Sequence, residues 1–216
     1  MTENDTPDER LRPAIEALAE RDADLAEAYA ACGLPRTRRL APDFGGLVRT
    51  IAGQQVSASA ARAIVQRLES ALPGLTADAV AGMDPATARE IGLSRQKVAY
   101  IHGIAEEVRA GRLDFESLAR ADDETVMAEL TALKGVGRWT AESFLLFGLQ
   151  RPDVFPAQDL ALQMAAKRLR RLQDRPTAPA LRDIAEIWRP YRSAAARFLW
   201  HYYRHPGVPS GDAADG

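Results

Sequence analysis

Leu133-Lys-Gly-Val-Gly-Arg-Trp-Thr-Ala-Glu142 lies between two stretches of helical periodicity, and after an apolar run it is followed by Phe155-Pro-Ala-Gln-Asp159. Two glycines one residue apart let a chain turn back tightly, because glycine takes φ > 0 without steric cost. The turn leaves the first amides of the next helix without intrahelical partners, and Thr140 adds a hydroxyl in the same first turn. Such a terminus favours a phosphate electrostatically. A plain helix–helix turn explains Gly135-Val-Gly137 equally well when it is taken alone. A dinucleotide fingerprint is excluded, since no strand precedes the turn and the third glycine is missing.

Outward from the hairpin, nearly every segment carries apolar residues at helical spacing, with caps where helices should start. Leu11, Ile15, Leu18 and Ala19 give one stripe, and a short helix is expected from Asp24 to Gly33. Asp43 caps a helix bearing Phe44, Leu47, Val48 and Ile51, and Ser57 caps the next. Thr76, Asp84-Pro85 and Ser94 start others, Phe115 and Leu118 mark a further turn, and Asp122 caps the helix that enters the hairpin. Beyond it, helices are expected over Trp139 to Leu149, Asp159 to Leu172, Thr177 to Trp188 and Ser193 to Tyr203. The expected fold is all-α, with about ten short helices and no sheet. The Pro/Gly-rich residues 206–216 read as a disordered tail.

Composition sets the outer bounds. A chain of 216 residues with 46% hydrophobic content can bury a real core in one large or two small domains. A net charge of −2 supplies no global field toward nucleic acid, so any DNA contact must use local patches or backbone amides. The lone cysteine, Cys32, rules out an intramolecular disulfide, an all-cysteine zinc site and a four-cysteine iron–sulfur cluster. It fits a reduced setting. The first residues show no signal pattern, and no apolar run reaches the ~18 residues that span a membrane. A cytoplasmic, bacterial-type intracellular protein without membrane contact is expected.

The hairpin string together with Asp153-Val-Phe-Pro-Ala-Gln-Asp-Leu160 closely resembles the helix-hairpin-helix DNA glycosylase superfamily, and within it the 3-methyladenine DNA glycosylase II family. Ile51-Ala-Gly-Gln-Gln-Val-Ser57 with Ala60-Ala61 resembles the family's early motif. Gly92-Leu-Ser-Arg-Gln-Lys97 resembles its middle one, and Trp188-Arg-Pro-Tyr-Arg-Ser193 with Trp200 its closing one. The resemblance covers roughly residues 43–203. It implies two helical domains with the active-site cleft between them. Residues 1–42 would pack with the C-terminal helices of 150–205, and 43–149 would form the central domain with the hairpin. The extra N-terminal β-rich domain of some bacterial members looks absent. The resemblance also implies association with the nucleoid when acting.

The same resemblance assigns chemistry. Hydrolysing an N-glycosidic bond builds positive charge on the deoxyribose, so a carboxylate near the sugar stabilises the oxocarbenium-like transition state. Asp159 matches the family's catalytic Asp, although taken alone it reads as an ordinary helix N-cap, and the two roles are compatible. Lyase members carry a lysine two residues after Gly-X-Gly, where this chain has Trp139, so a monofunctional glycosylase without strand cleavage is implied. An alkylated purine is cationic, and electron-rich aromatic faces would hold it by stacking and cation–π attraction. Trp139 and Trp200 are the candidates, with Ser143 and His201 as further pocket residues and core packing as the competing role for Trp200. Trp188 reads as core.

For DNA, Gly135, Gly137, Arg138 and Thr140 of the hairpin, Gln54, Gln55 and Ser57 of the early motif, and Lys97 are the expected contacts. Gln55 is the candidate wedge that fills the gap left by a flipped base. The carbonyls of Thr131, Leu133 and Val136 are implied ligands of a structural Na+ or K+, and no cofactor is required for the chemistry. Further basic residues cluster at Arg36-Thr-Arg-Arg39, Arg95-Gln-Lys97 and Lys167-Arg-Leu-Arg-Arg171. The expected partner is damaged double-stranded DNA, acted on by a monomer. Two other functions stay open at this point: a glycosylase for uracil, hypoxanthine or an oxidised base, and a non-catalytic DNA-binding module.

Overall fold

The computed structural model describes residues 6–205, so the tail expected to be disordered lies outside the described residues. Among the described residues the chain forms thirteen α-helices and no strand, with one isolated antiparallel bridge between Pro7 and Arg36. It divides into two compact units: Leu40–Gln150, and Met1–Arg39 together with Arg151–Gly216.

The middle unit holds α3 (Phe44–Ala52), α4 (Ala58–Ala71), α5 (Ala77–Ala81), α6 (Pro85–Ile91), α7 (Arg95–Arg109), α8 (Phe115–Arg120), α9 (Asp123–Ala132) and α10 (Arg138–Ser143). Each of α3 to α9 opens on a side chain that accepts a first-turn amide: Asp43, Ser57, Thr76, Asp84, Ser94, Asp114 and Asp122. Such a cap stabilises a helix by about 1 kcal/mol, which matters for segments as short as α5 and α6. α10 departs from the series, because its N-cap is Gly137 and no side chain caps it. Helix α7 packs on α5 and α3, and Leu47, Val48, Ile51, Ile101, Leu118, Val126 and Leu130 form the core around it. The helix expected to continue to Leu149 changes form at Phe144, where Phe144–Gly148 is a π-helical turn and the Leu149 amide reaches back to the Phe144 carbonyl at 3.0 Å.

The flanking unit holds α1 (Arg12–Ala19), α2 (Ala23–Cys32), α11 (Leu160–Leu169), α12 (Ala178–Ala185) and α13 (Arg192–Arg204). Ile15, Leu18, Leu25, Leu162, Leu181, Phe198 and Leu199 supply its core, with α11 against α13 and α1 against both α2 and α13. Trp188 is fully buried, as its apolar stripe predicts, and lies against Phe155 with ring centroids 5.5 Å apart. Its indole N–H donates to Asp22 at 2.7 Å. Asp22, not Asp24, caps α2 through the Leu25 amide, and it also takes the Arg170 guanidinium. Arg192 makes a comparable lock on Asp153, whose two carboxylate oxygens receive its Nε and Nη2 at 2.8 and 3.0 Å. These bonds anchor both chain segments that flank the middle unit.

Candidate active site

In the middle unit the hairpin is built from backbone. Gly135 sits at φ +91°, and a Cβ there would come within 2.2 Å of the Tyr100 ring. Both the dihedral and the close approach demand glycine. Gly137 faces open space and hands the chain to α10, whose first turn carries Arg138, Trp139 and the buried Thr140. Gln54 braces this turn: its Nε2 donates to the Gly135 carbonyl at 3.1 Å and to Thr140 Oγ1 at 2.9 Å. Lys97 secures Gln54 in turn, donating from Nζ to the Ala52 and Gln54 carbonyls, both at 2.8 Å. Desolvation at this site pulls the Lys97 pKa below that of a free lysine. The turn between α3 and α4 is therefore stitched to the hairpin.

This changes two expected DNA contacts. The side-chain amide of Gln54 and the ammonium of Lys97 are engaged inside the protein, where they brace the hairpin turn. Gln55 is different. It is exposed at φ +54°, a left-handed conformation that costs a non-glycine residue about 1–3 kcal/mol and places it at the apex of its turn, beside the 40%-exposed Val56. Ser57 caps α4 from an exposed position, and Arg138 is exposed with its Nε 2.8 Å from Glu142. Trp139 is half-buried and Ser143, four residues on, shares its helix face. The Ser143 hydroxyl is buried without a protein hydrogen-bond partner. The Leu133 carbonyl accepts the Val136 amide at 3.1 Å within the turn.

In the flanking unit Asp159 ends the loop that follows Phe155 and caps α11, accepting the Leu162 amide on Oδ1 at 3.0 Å. The same oxygen accepts the indole N–H of Trp200, on α13, at 2.9 Å. Trp200 is only 7% exposed, which leaves little ring face for stacking on a base and corrects the expectation that it lines the pocket as an open platform. His201 is corrected too. A helix turns 100° per residue, so His201 points off the Trp200 face, and its Nε2 lies 2.9 Å from the Cys32 carbonyl at the end of α2.

Of the basic clusters, Arg170 and Arg171 are taken by Asp22, Asp24 and Glu27, and Arg168 lies over the Tyr203 ring. The 35–39 segment keeps a different role. Arg197 donates to the Arg38 carbonyl, and Arg38 is solvent-exposed as a residue; even so, desolvation, then Arg204 and Arg197, depress its pKa while the Asp159 carboxylate opposes them. Sequence reading placed Arg38 in a basic cluster without its link to Asp159, and it missed Tyr100. The spacing could have offered Tyr100, three residues from Lys97 on one face of α7.

Comparison with known proteins places the chain in a family. Residues 48–190 match the family described as HhH-GPD superfamily base excision DNA repair protein. DNA-3-methyladenine glycosylase 1 of Schizosaccharomyces pombe is 37% identical over 158 residues, which are 71% of this chain and 69% of that protein. The structure of a 3-methyladenine DNA glycosylase from the same yeast, in complex with abasic DNA, superposes with a TM-score of 0.81 at 33% identity, covering 87% of this chain and 95% of that one. A DNA-3-methyladenine glycosidase from Bacillus halodurans gives a TM-score of 0.76 at 33% identity, covering 89% of each chain. The chain belongs to the HhH-GPD superfamily of base excision DNA repair proteins.

Proposed function

We propose that this protein is a monofunctional DNA glycosylase that releases alkylated purines, 3-methyladenine above all, from damaged double-stranded DNA in base excision repair. The observation that carries the reading is the Asp159 carboxylate, fixed on Oδ1 by the Leu162 amide and the Trp200 indole in a chain whose lyase-lysine position is Trp139. Named relatives of the chain act on 3-methyladenine, which supports the substrate class.

The chemistry follows from charge. A cationic alkylpurine leaves readily, so little general-acid help is needed, and the carboxylate at 159 offsets the positive charge that develops on the sugar. Trp139 offers the electron-rich face to the flipped base, worth about 0.5–2 kcal/mol, and the Ser143 hydroxyl on the same face can hydrogen-bond its edge. Gln55 fills the vacated stack. Hairpin amides from Gly137 onward, with Arg138, hold a backbone phosphate beside the lesion. The carbonyls of Thr131, Leu133 and Val136 would supply neutral hard oxygen donors, which suit Na+ or K+, and a cation there would add positive charge for that phosphate. Without an amine at 139 no Schiff base forms there, and the product is an intact strand with an abasic site.

A panel of single-lesion duplexes, split before and after alkali, tests the proposal. Release of 3-methyladenine with strand breakage only after alkali is the expected result. Strand breakage without alkali, or uracil release at least as fast as that of 3-methyladenine, would overturn it.

A further inference from the structure

We infer that Trp200 is a positioning residue for Asp159, fixing one oxygen of the reacting carboxylate through its indole N–H, an inference that rests on the role given to Asp159 above. Two donors converge on Oδ1 from different directions: the Leu162 amide of α11 at 3.0 Å and Trp200 Nε1 of α13 at 2.9 Å. A cap bond alone leaves a carboxylate free to swing about its terminal torsion, which is broad and two-fold. A second donor on the same oxygen, carried by a neighbouring helix, restricts that swing, beside the Arg38 charge that also acts on this carboxylate. Helix α11 packs directly against α13, so both donors sit on one rigid pair.

The pairing suits both partners. The indole is buried to 7% exposure, and an indole N–H left unsatisfied there would cost about 1–3 kcal/mol. The unit uses the same device elsewhere. Trp188 Nε1 donates to Asp22, the N-cap of α2, at 2.7 Å. There the carboxylate is 3% exposed and is also held by Arg170, so the pair serves the core. At Asp159 the half-buried carboxylate gains orientation from the indole. Orientation matters for rate, because misplacing a reacting group by about 1 Å can cost roughly a hundredfold.

Two measurements decide the matter. The first is single-turnover release of 3-methyladenine by wild type, by Trp200→Phe, and by protein carrying 3-benzothienylalanine at position 200, which keeps the ring's shape and replaces the N–H by sulfur. Both substitutions are expected to slow release by about 10- to 100-fold while affinity for a duplex with an abasic-site analogue stays within threefold. If the benzothienyl protein runs at the wild-type rate, the N–H does nothing and the inference falls, whatever Trp200→Phe does. The second needs no substrate. In 15N-indole spectra of this three-tryptophan chain, Asp159→Ala should move the Trp200 N–H peak, identified by its loss in Trp200→Phe, and leave that of Trp188 in place. An unmoved peak would refute the pairing. A wild-type protein inactive on alkylated DNA would instead sink the proposed function, with the spectra still deciding the pairing.

Discussion

Asp22 and Asp159 share one local motif in the flanking unit: each caps a helix through the amide three residues on, and each accepts the indole N–H of a tryptophan. Their surroundings differ. Asp22 is buried to 3% and saturated by Arg170, so its charge is neutralised and its geometry is spent on tying α2 to α11. Asp159 is half-buried, accepts the Leu162 amide and the Trp200 indole on Oδ1, and lies in the field of Arg38. The same motif thus sits in a closed ionic core at Asp22 and at a more exposed carboxylate at Asp159, and burial makes the difference.

Substitutions can break this comparison at either end. The largest effect is expected from Asp159→Asn, which keeps the cap but removes the charge: single-turnover base release should fall by about a thousandfold, with a melting temperature near that of wild type. Asp22→Ala should do the reverse. It strips the Trp188 N–H and part of Arg170 of their buried partner, at a cost of about 3 kcal/mol and a melting temperature lower by roughly 6–12 °C, while the release rate per folded molecule stays close to normal.

Two smaller effects contrast these ionic devices with the neutral bonds of the middle unit. Gly135→Ala drives a methyl group into the Tyr100 ring at a positive φ, so the hairpin must distort; affinity for abasic-analogue duplex should drop by about tenfold, read by fluorescence anisotropy. Gln54→Leu removes two hydrogen bonds from the hairpin, each worth about 0.5–1.5 kcal/mol, and should weaken the same binding by roughly fivefold with saturating turnover little changed.

The parts of this site that depend on local rules were legible in the sequence. The caps at Asp43, Ser57, Ser94 and Asp159 follow from residue type beside an apolar stripe, and Gly135 from the need for a turn. Long-range partners were not legible. Trp200 meets Asp159 across 41 residues and Gln54 meets Gly135 across 81, and periodicity assigns a residue to a face without naming what that face touches. For the same reason Lys97 and Gln54, read as DNA contacts, turned out to brace the hairpin, and His201, beside Trp200 in the chain, went to the Cys32 carbonyl. Asp22 was passed over because an Asp two residues later fitted the same apolar pattern.

The most direct test of the account is single-turnover release of 3-methyladenine from an alkylated duplex by Asp159→Asn and Asp22→Ala side by side, at a temperature where both are folded, with affinity for abasic-analogue DNA measured in parallel. Asp159→Asn should bind DNA but release almost no base, and Asp22→Ala should release it at about the wild-type rate. Wild-type release by Asp159→Asn, or equal loss in both variants, would contradict this.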